Sequence, residues 1–150
     1  MRAYDPQLEG TDGYIPQIGT LNGNPIASVA ALATLKELQN PGAYQRLFAT
    51  GRQLREGLAD LLRQAEIPAQ VVGEDPLFDV YFTDHEIIDY RSTLHSNGEM
   101  LARFNRTLLE EGIFRATQKF YVSLAHDEQD VKQTLDAFSK AVETIRTDPS

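Results

Sequence analysis

The residues best placed to meet a ligand lie in the run Gly19-Thr20-Leu21-Asn22-Gly23-Asn24-Pro25. Two glycines flank Thr20 and Asn22, so backbone N–H groups and a hydroxyl are offered side by side. That combination suits an oxyanion such as a phosphate. The same composition before a helix is also ordinary turn chemistry, so the loop alone leaves both readings open. The helix start is better specified: Pro25 fits a first helical position, where its absent N–H costs nothing, and Asn24 can cap the turn.

Few other residues in the chain have types and spacing that suit catalysis or metal binding. There is no cysteine, which removes disulfides and thiolate metal sites. The three histidines, His85, His95 and His126, lack metal-ligand spacing on any one element, so no metal is expected. His126 precedes three acidic residues, Asp127, Glu128 and Asp130, and reads as a residue at the start of a helix satisfied by nearby backbone. No catalytic residue is assigned. In Arg115-Ala116-Thr117-Gln118-Lys119 the cations read as solvated charge.

The elements that must position the first loop follow from periodicity. Met1 to Ile18 is punctuated by Asp5-Pro6, Gly10, Asp12-Gly13 and Pro16 and reads as irregular. From Pro25 to about Gln39 the pattern is helical and apolar on nearly every side, with Ile26, Val29, Ala30, Leu32, Ala33 and Leu35, which predicts burial. Asn40-Pro41-Gly42 stops it. A long amphipathic helix over about Ala43 to Ala65 comes next, with Leu47, Leu54, Leu58 and Leu62 on its apolar stripe. Two strands are expected at Ala69 to Gly73 and Leu77 to Thr83, the second alternating Phe78, Val80 and Phe82 against Asp79, Tyr81 and Thr83. Asp84 to His95 has no clean period. Ser96 and Glu99 have capping-box spacing before a helix facing inward through Met100, Phe104 and Leu108. A third strand is expected at Phe120 to Leu124. A last helix runs from about Glu128 to Arg146, with acidic residues at its positive end. Helices around a few strands make an α+β domain, a small, mostly antiparallel sheet packed against helices.

Length and charge bound the partners. A chain of 150 residues, 41 % hydrophobic, fits one domain with a real core. A net charge of −8 without a basic stripe disfavours nucleic acid. No apolar run approaches the roughly 20 residues that span a bilayer. No membrane partner is expected, and cytoplasmic residence is the default.

The run from Pro16 to Ala27 resembles the segment that opens the C-terminal part of class III aminotransferases, pyridoxal-phosphate enzymes of fold type I, and is most similar to the branch around glutamate-1-semialdehyde aminomutase. Phe120-Tyr121-Val122-Ser123-Leu124-Ala125-His126 is similar to that family's final strand, at the family's relative spacing. The resemblance implies the family's small C-terminal domain over 25–150 and an irregular arm with an interface loop, a remnant of the large domain, over 1–24. It implies that Gly19 and Thr20 lie at a homodimer or oligomer interface and hydrogen-bond the phosphate of pyridoxal phosphate held by the partner subunit. It also exposes a departure. The family's Schiff-base lysine precedes the Gly-Thr pair on the large, N-terminal cofactor-binding domain. Here Lys36, Lys119, Lys132 and Lys140 all lie after it. A chain without that lysine has no covalent anchor for the cofactor, so these 150 residues are expected to be inactive alone. The rival expectation is a free-standing, non-enzymatic α+β module that self-associates or docks on a partner through its first helix.

Overall fold

The computed structural model describes residues 4–16, 18–115 and 118–147; expectations for 1–3, 17, 116–117 and 148–150 lie outside them. The chain divides into two compact units, residues 1–40 and 41–150.

In the first unit a short 3-10 turn, Pro6–Leu8, is succeeded by turns and irregular backbone over residues 9–16 and 18–24. Helix α1 spans Pro25–Leu38. Its start obeys the capping expectation: Asn24 Oδ1 accepts a hydrogen bond from Ala27 N at 3.1 Å, and Pro25 takes the first turn. Gly23 sits at φ 72°, a left-handed conformation that a side chain disfavours. The expected burial is not found. No residue of α1 is buried, and Ile26, Val29, Leu32 and Leu35 are 82, 66, 59 and 54 % exposed. Among its described residues the unit contains no second element of comparable size to enclose an apolar helix.

The second unit carries the core. Helix α2 spans Ala43–Gln64, strands β1 and β2 span Gln70–Glu74 and Leu77–Tyr81, and a short helix α3 covers Tyr90–Thr93. Helix α4 spans Gly98–Glu110, strand β3 Phe120–Tyr121 and helix α5 Glu128–Thr147. The sheet order is β1-β2-β3, antiparallel throughout, with Val72 opposite Asp79 and Phe78 opposite Phe120. This is the expected α+β architecture.

Helix α5 packs on both α2 and α4. Aromatic rings link the sheet to these helices: Phe78 stacks on Phe120 at 4.9 Å, Phe120 meets Phe138 edge-on at 5.2 Å, and Phe104 meets Phe82 at 5.5 Å. Leu58, Leu108, Ala141 and Ile145 fill the space between them, all essentially buried.

Three boundaries differ from the sequence pattern for local reasons. Strand β3 pairs over two residues, because beyond Leu77 opposite Tyr121 the next β2-side residue is Pro76, which has no N–H to return a ladder bond. Val122 N still donates to Pro76 O at 2.9 Å. Helix α4 is capped by Asn97, whose Oδ1 accepts from Met100 N at 3.0 Å, one residue later than the Ser96 box; Ser96 Oγ instead accepts from Phe82 N at 3.0 Å. Within the segment that lacks a period, Asp89 and Ser92 form a reciprocal capping box that starts α3.

Candidate functional site

The Gly19–Thr20 loop is a turn. Asn22 N donates to Gly19 O at 3.0 Å and Asn24 N to Leu21 O at 3.2 Å, which puts Thr20 at the corner. Gly19 and Thr20 are both exposed. Among the described residues no hydrogen bond engages the Thr20 N–H or hydroxyl. Asn22 folds back so closely that a Cβ added at Gly19 would lie 3.0 Å from its Oδ1, which favours glycine there. Against a phosphate the fit is that of one edge. Thr20 offers one backbone and one hydroxyl donor at an exposed turn, leaving most oxygens of a dianion to other donors.

The second cluster is one that the periodicity of β2 concealed. Arg115, expected as solvated charge, is buried: its side chain is 3 % exposed, and its Nη2 lies 3.0 Å from Oδ1 of Asp79, itself 5 % exposed. The guanidinium lies 4.1 Å from the centroid of the Phe120 ring. Asp79 Oδ1 also accepts from Val80 N at 2.9 Å. Burial lowers the Arg115 pKa, and the Asp79 carboxylate partly restores it. Burial and the charge of Asp79 push the Tyr81 phenol up. The polar face of β2 is thus a buried ionic cluster. The signal in the sequence was an aspartate in mid-strand, a position where this residue is depleted unless something holds it.

Between β3 and the start of α5 lies a hollow of about 290 Å³, walled by Leu54, Phe114, Phe120 and Val131 and edged by Lys119 and His126. Lys119 adopts a left-handed backbone, φ 67°, as the chain turns into β3. His126 Nδ1 accepts from Ser123 N at 2.9 Å, the local backbone role expected of it. Asp127 Oδ1 accepts from Gln129 N and Asp130 N, which caps α5. Among the described residues no group of three or more His, Asp or Glu side chains is arranged to hold a metal, and no helix is long and apolar enough to cross a membrane.

A second ionic clamp, not anticipated from sequence, closes the β1–β2 connection. Asp75 accepts from Arg52 Nε at 3.0 Å and from Arg55 Nε at 2.9 Å. Gly51 makes room for it, since a Cβ there would come within 2.1 Å of the Asp75 carbonyl oxygen.

The chain is similar to known proteins in sequence and in fold. No family model matches the chain. A glutamate-1-semialdehyde 2,1-aminomutase of Thermodesulfovibrio yellowstonii is 38 % identical over 136 residues, 89 % of this chain and 32 % of that protein. An omega-transaminase from Sphaerobacter thermophilus is 31 % identical, with a TM-score of 0.80 over 96 % of this chain and 33 % of that one. A glutamate-1-semialdehyde aminomutase from Pseudomonas aeruginosa PAO1, solved in complex with PMP, shares the fold at 22 % identity and a TM-score of 0.73, covering 86 % of this chain and 30 % of that one. The chain spans about a third of the length of the curated relatives it matches. By sequence likeness and fold together, this chain belongs with the class III, pyridoxal-phosphate-dependent aminotransferases, as a C-terminal segment of the glutamate-1-semialdehyde aminomutase-like branch.

Proposed function

We propose that the chain serves as the small domain of a pyridoxal-phosphate aminotransferase or aminomutase acting on a small amino acid or semialdehyde, and that it is inactive until joined by a cofactor-binding domain. In this reading residues 1–24 form an arm derived from the large domain and 25–150 the small domain. The observation that carries it is the exposed Gly19–Thr20 corner just before α1, where no hydrogen bond engages Thr20 among the described residues, in a chain similar to enzymes of this class.

When bound in the complete enzyme, pyridoxal phosphate supplies the electron sink for moving an amino group. The contribution of this chain is electrostatic and positional. Thr20 donates its hydroxyl and N–H to the phosphate in the partner subunit of a dimer, and Gly19 lets the backbone approach. Arg115, tied to Asp79, anchors the chain ahead of β3 at the hollow beside Phe120. The exposed apolar residues of α1 support a partner for this chain, since contiguous exposed patches beyond a few hundred Å² ordinarily mark an interaction site; in this reading the assembled enzyme covers them.

The test is complementation. The chain alone, incubated with pyridoxal phosphate, is expected neither to transaminate nor to yield a single pyridoxyl-lysine after borohydride reduction. Co-expression with the cofactor domain of a related aminomutase is expected to restore amino transfer. Activity and one stoichiometric modified lysine in the chain alone would overturn the proposal. A chain that self-associates yet never complements would favour the free-standing module.

A further inference from the structure

The segment 83–97 between β2 and α4 is a closed loop with two imidazoles at its neck. Phe82 N donates to Ser96 Oγ at 3.0 Å and Asn97 N to Phe82 O at 2.9 Å, which ties the two ends together. His85 N donates to Thr83 Oγ1 at 3.1 Å and fixes where the first imidazole leaves the chain. The rings of His85 and His95 then face each other across the neck, with centroids 4.4 Å apart and planes inclined by 32°. The loop beyond them carries exposed Ile88, Tyr90 and Leu94.

Pro68 ahead of β1, Phe82, Thr83 and Asp84 after β2, and Asn97 and Met100 at the start of α4 line the hollow around the two rings, and of these only Asp84 bears a carboxyl group; Glu86 follows His85 in the chain, and Glu99 lies in the first turn of α4. Asp84 Oδ1 is 3.8 Å from His85 Nε2. Arg63 of α2 borders the neighbouring hollow with Asp84, but its own charge is held by Asp60 at 2.7 Å.

These positions make the pair sensitive to how many protons it carries. One imidazolium is compatible with the tilted pair, because Asp84 lies beside His85 and the second ring is neutral. Two imidazoliums repel at this distance, and a single carboxylate beside one of them does not balance both. Imidazole is the side chain whose charge changes between about pH 5 and 8. We propose that the closely paired, tilted rings of His85 and His95 form a proton-operated clasp on the 83–97 loop, closed while at most one ring is charged and loosened when both are. Loosening frees the segment that carries Ile88, Tyr90 and Leu94, which are exposed and lie outside the buried core.

Amide hydrogen exchange of the Asn97 N–H, corrected for the intrinsic effect of pH, tests this at pH 7.5, 6.5 and 5.0, with Phe138 in α5 as the reference for global stability. Two like charges about 4 Å apart at a solvated site correspond to roughly a fivefold change in an equilibrium. Protection at Asn97 is therefore expected to fall about fivefold toward pH 5 while Phe138 holds steady, and the fall should shrink in high salt. In His95→Gln and in His85→Gln the protection should be flat with pH, whatever its absolute level. Protection that does not change in the wild-type chain, the same fall in either variant, or a fall shared by Phe138 would overturn the proposal.

Discussion

Arg115 and Asp79, 36 residues apart in the chain, meet through a 3.0 Å contact between side chains that are 3 and 5 % exposed, beneath which Phe120 stacks on the guanidinium. A pair so enclosed is retained for geometry more than for energy: breaking one partner strands a charge, whereas replacing both with apolar groups is often neutral.

Arg115→Met should therefore destabilise the chain by about 3 to 5 kcal/mol, and Asp79→Leu combined with Arg115→Met by much less. Urea unfolding of the two proteins decides it. A single variant as stable as the double would mean that Asp79 is not isolated when Arg115 is lost.

Two glycines in α2 separate close backbone approach from mere proximity. A methyl at Gly51 would come within 2.1 Å of the Asp75 carbonyl oxygen, but at Gly57 it meets only the movable end of Leu135, 2.4 Å from Cδ2. Alanine gains roughly 1 kcal/mol in a helix interior, and overpacking costs about 1 to 3 kcal/mol or more. Gly51→Ala should lower the thermal midpoint clearly and Gly57→Ala hardly at all. Equal losses at the two positions would contradict the contact assigned to Gly51.

The clamp at Asp75 sets an acid-side limit. Burial pushes its pKa up, but hydrogen bonds from Arg55 and Arg52 and their charges outweigh this and hold the carboxyl below its ordinary value. A folded pKa below the unfolded one contributes stability that is present above the unfolded pKa, near 3.8, and lost as pH falls through the folded one. Urea midpoints of the wild-type chain and Asp75→Asn should thus differ most at neutral pH and converge below about pH 4. A gap that stays constant down to the acid transition would show that Asp75 is not stabilised by its arginines.

Helix α1 gives the prediction about assembly. With Val29, Leu32 and Leu35 exposed, the isolated chain is expected to self-associate, most simply as a symmetric dimer. Ala30→Glu should shift light scattering toward monomer, while Glu110→Lys, on an exposed position of α4, should leave it unchanged. A wild-type chain that is monomeric across a wide concentration range would contradict this.

The elements were legible wherever local rules decide. Pro25 and Asn24 marked the start of α1, the Leu54–Leu58–Leu62 stripe marked the face of α2, and Phe78 and Val80 marked the inner face of β2, with Phe82 buried just beyond it. What escaped needed a partner distant in sequence. Asp79 reads as a solvent-facing residue of an alternating strand until Arg115 arrives from beyond α4, and Asp75 reads as a turn residue until Arg52 and Arg55 close on it. The exposure of α1 shows the reverse case: its composition called for burial, but periodicity does not say whether the described residues supply any cover. Gly19 and Thr20 were legible as a turn whose donors could suit an oxyanion, and only resemblance singled out the phosphate of pyridoxal phosphate.

The most direct test of the proposed role is cofactor retention in a reassembled enzyme with Thr20→Val. A hydrogen bond to a charged group is worth about 1.5 to 3 kcal/mol, so the variant should hold pyridoxal phosphate roughly ten- to a hundredfold more weakly. The same change should scarcely move the stability of the isolated chain, where Thr20 is exposed at a turn corner. Equilibrium dialysis of wild-type and variant assemblies gives the answer: a tenfold or greater weakening is the predicted result, and an unchanged dissociation constant would remove the phosphate role of Thr20.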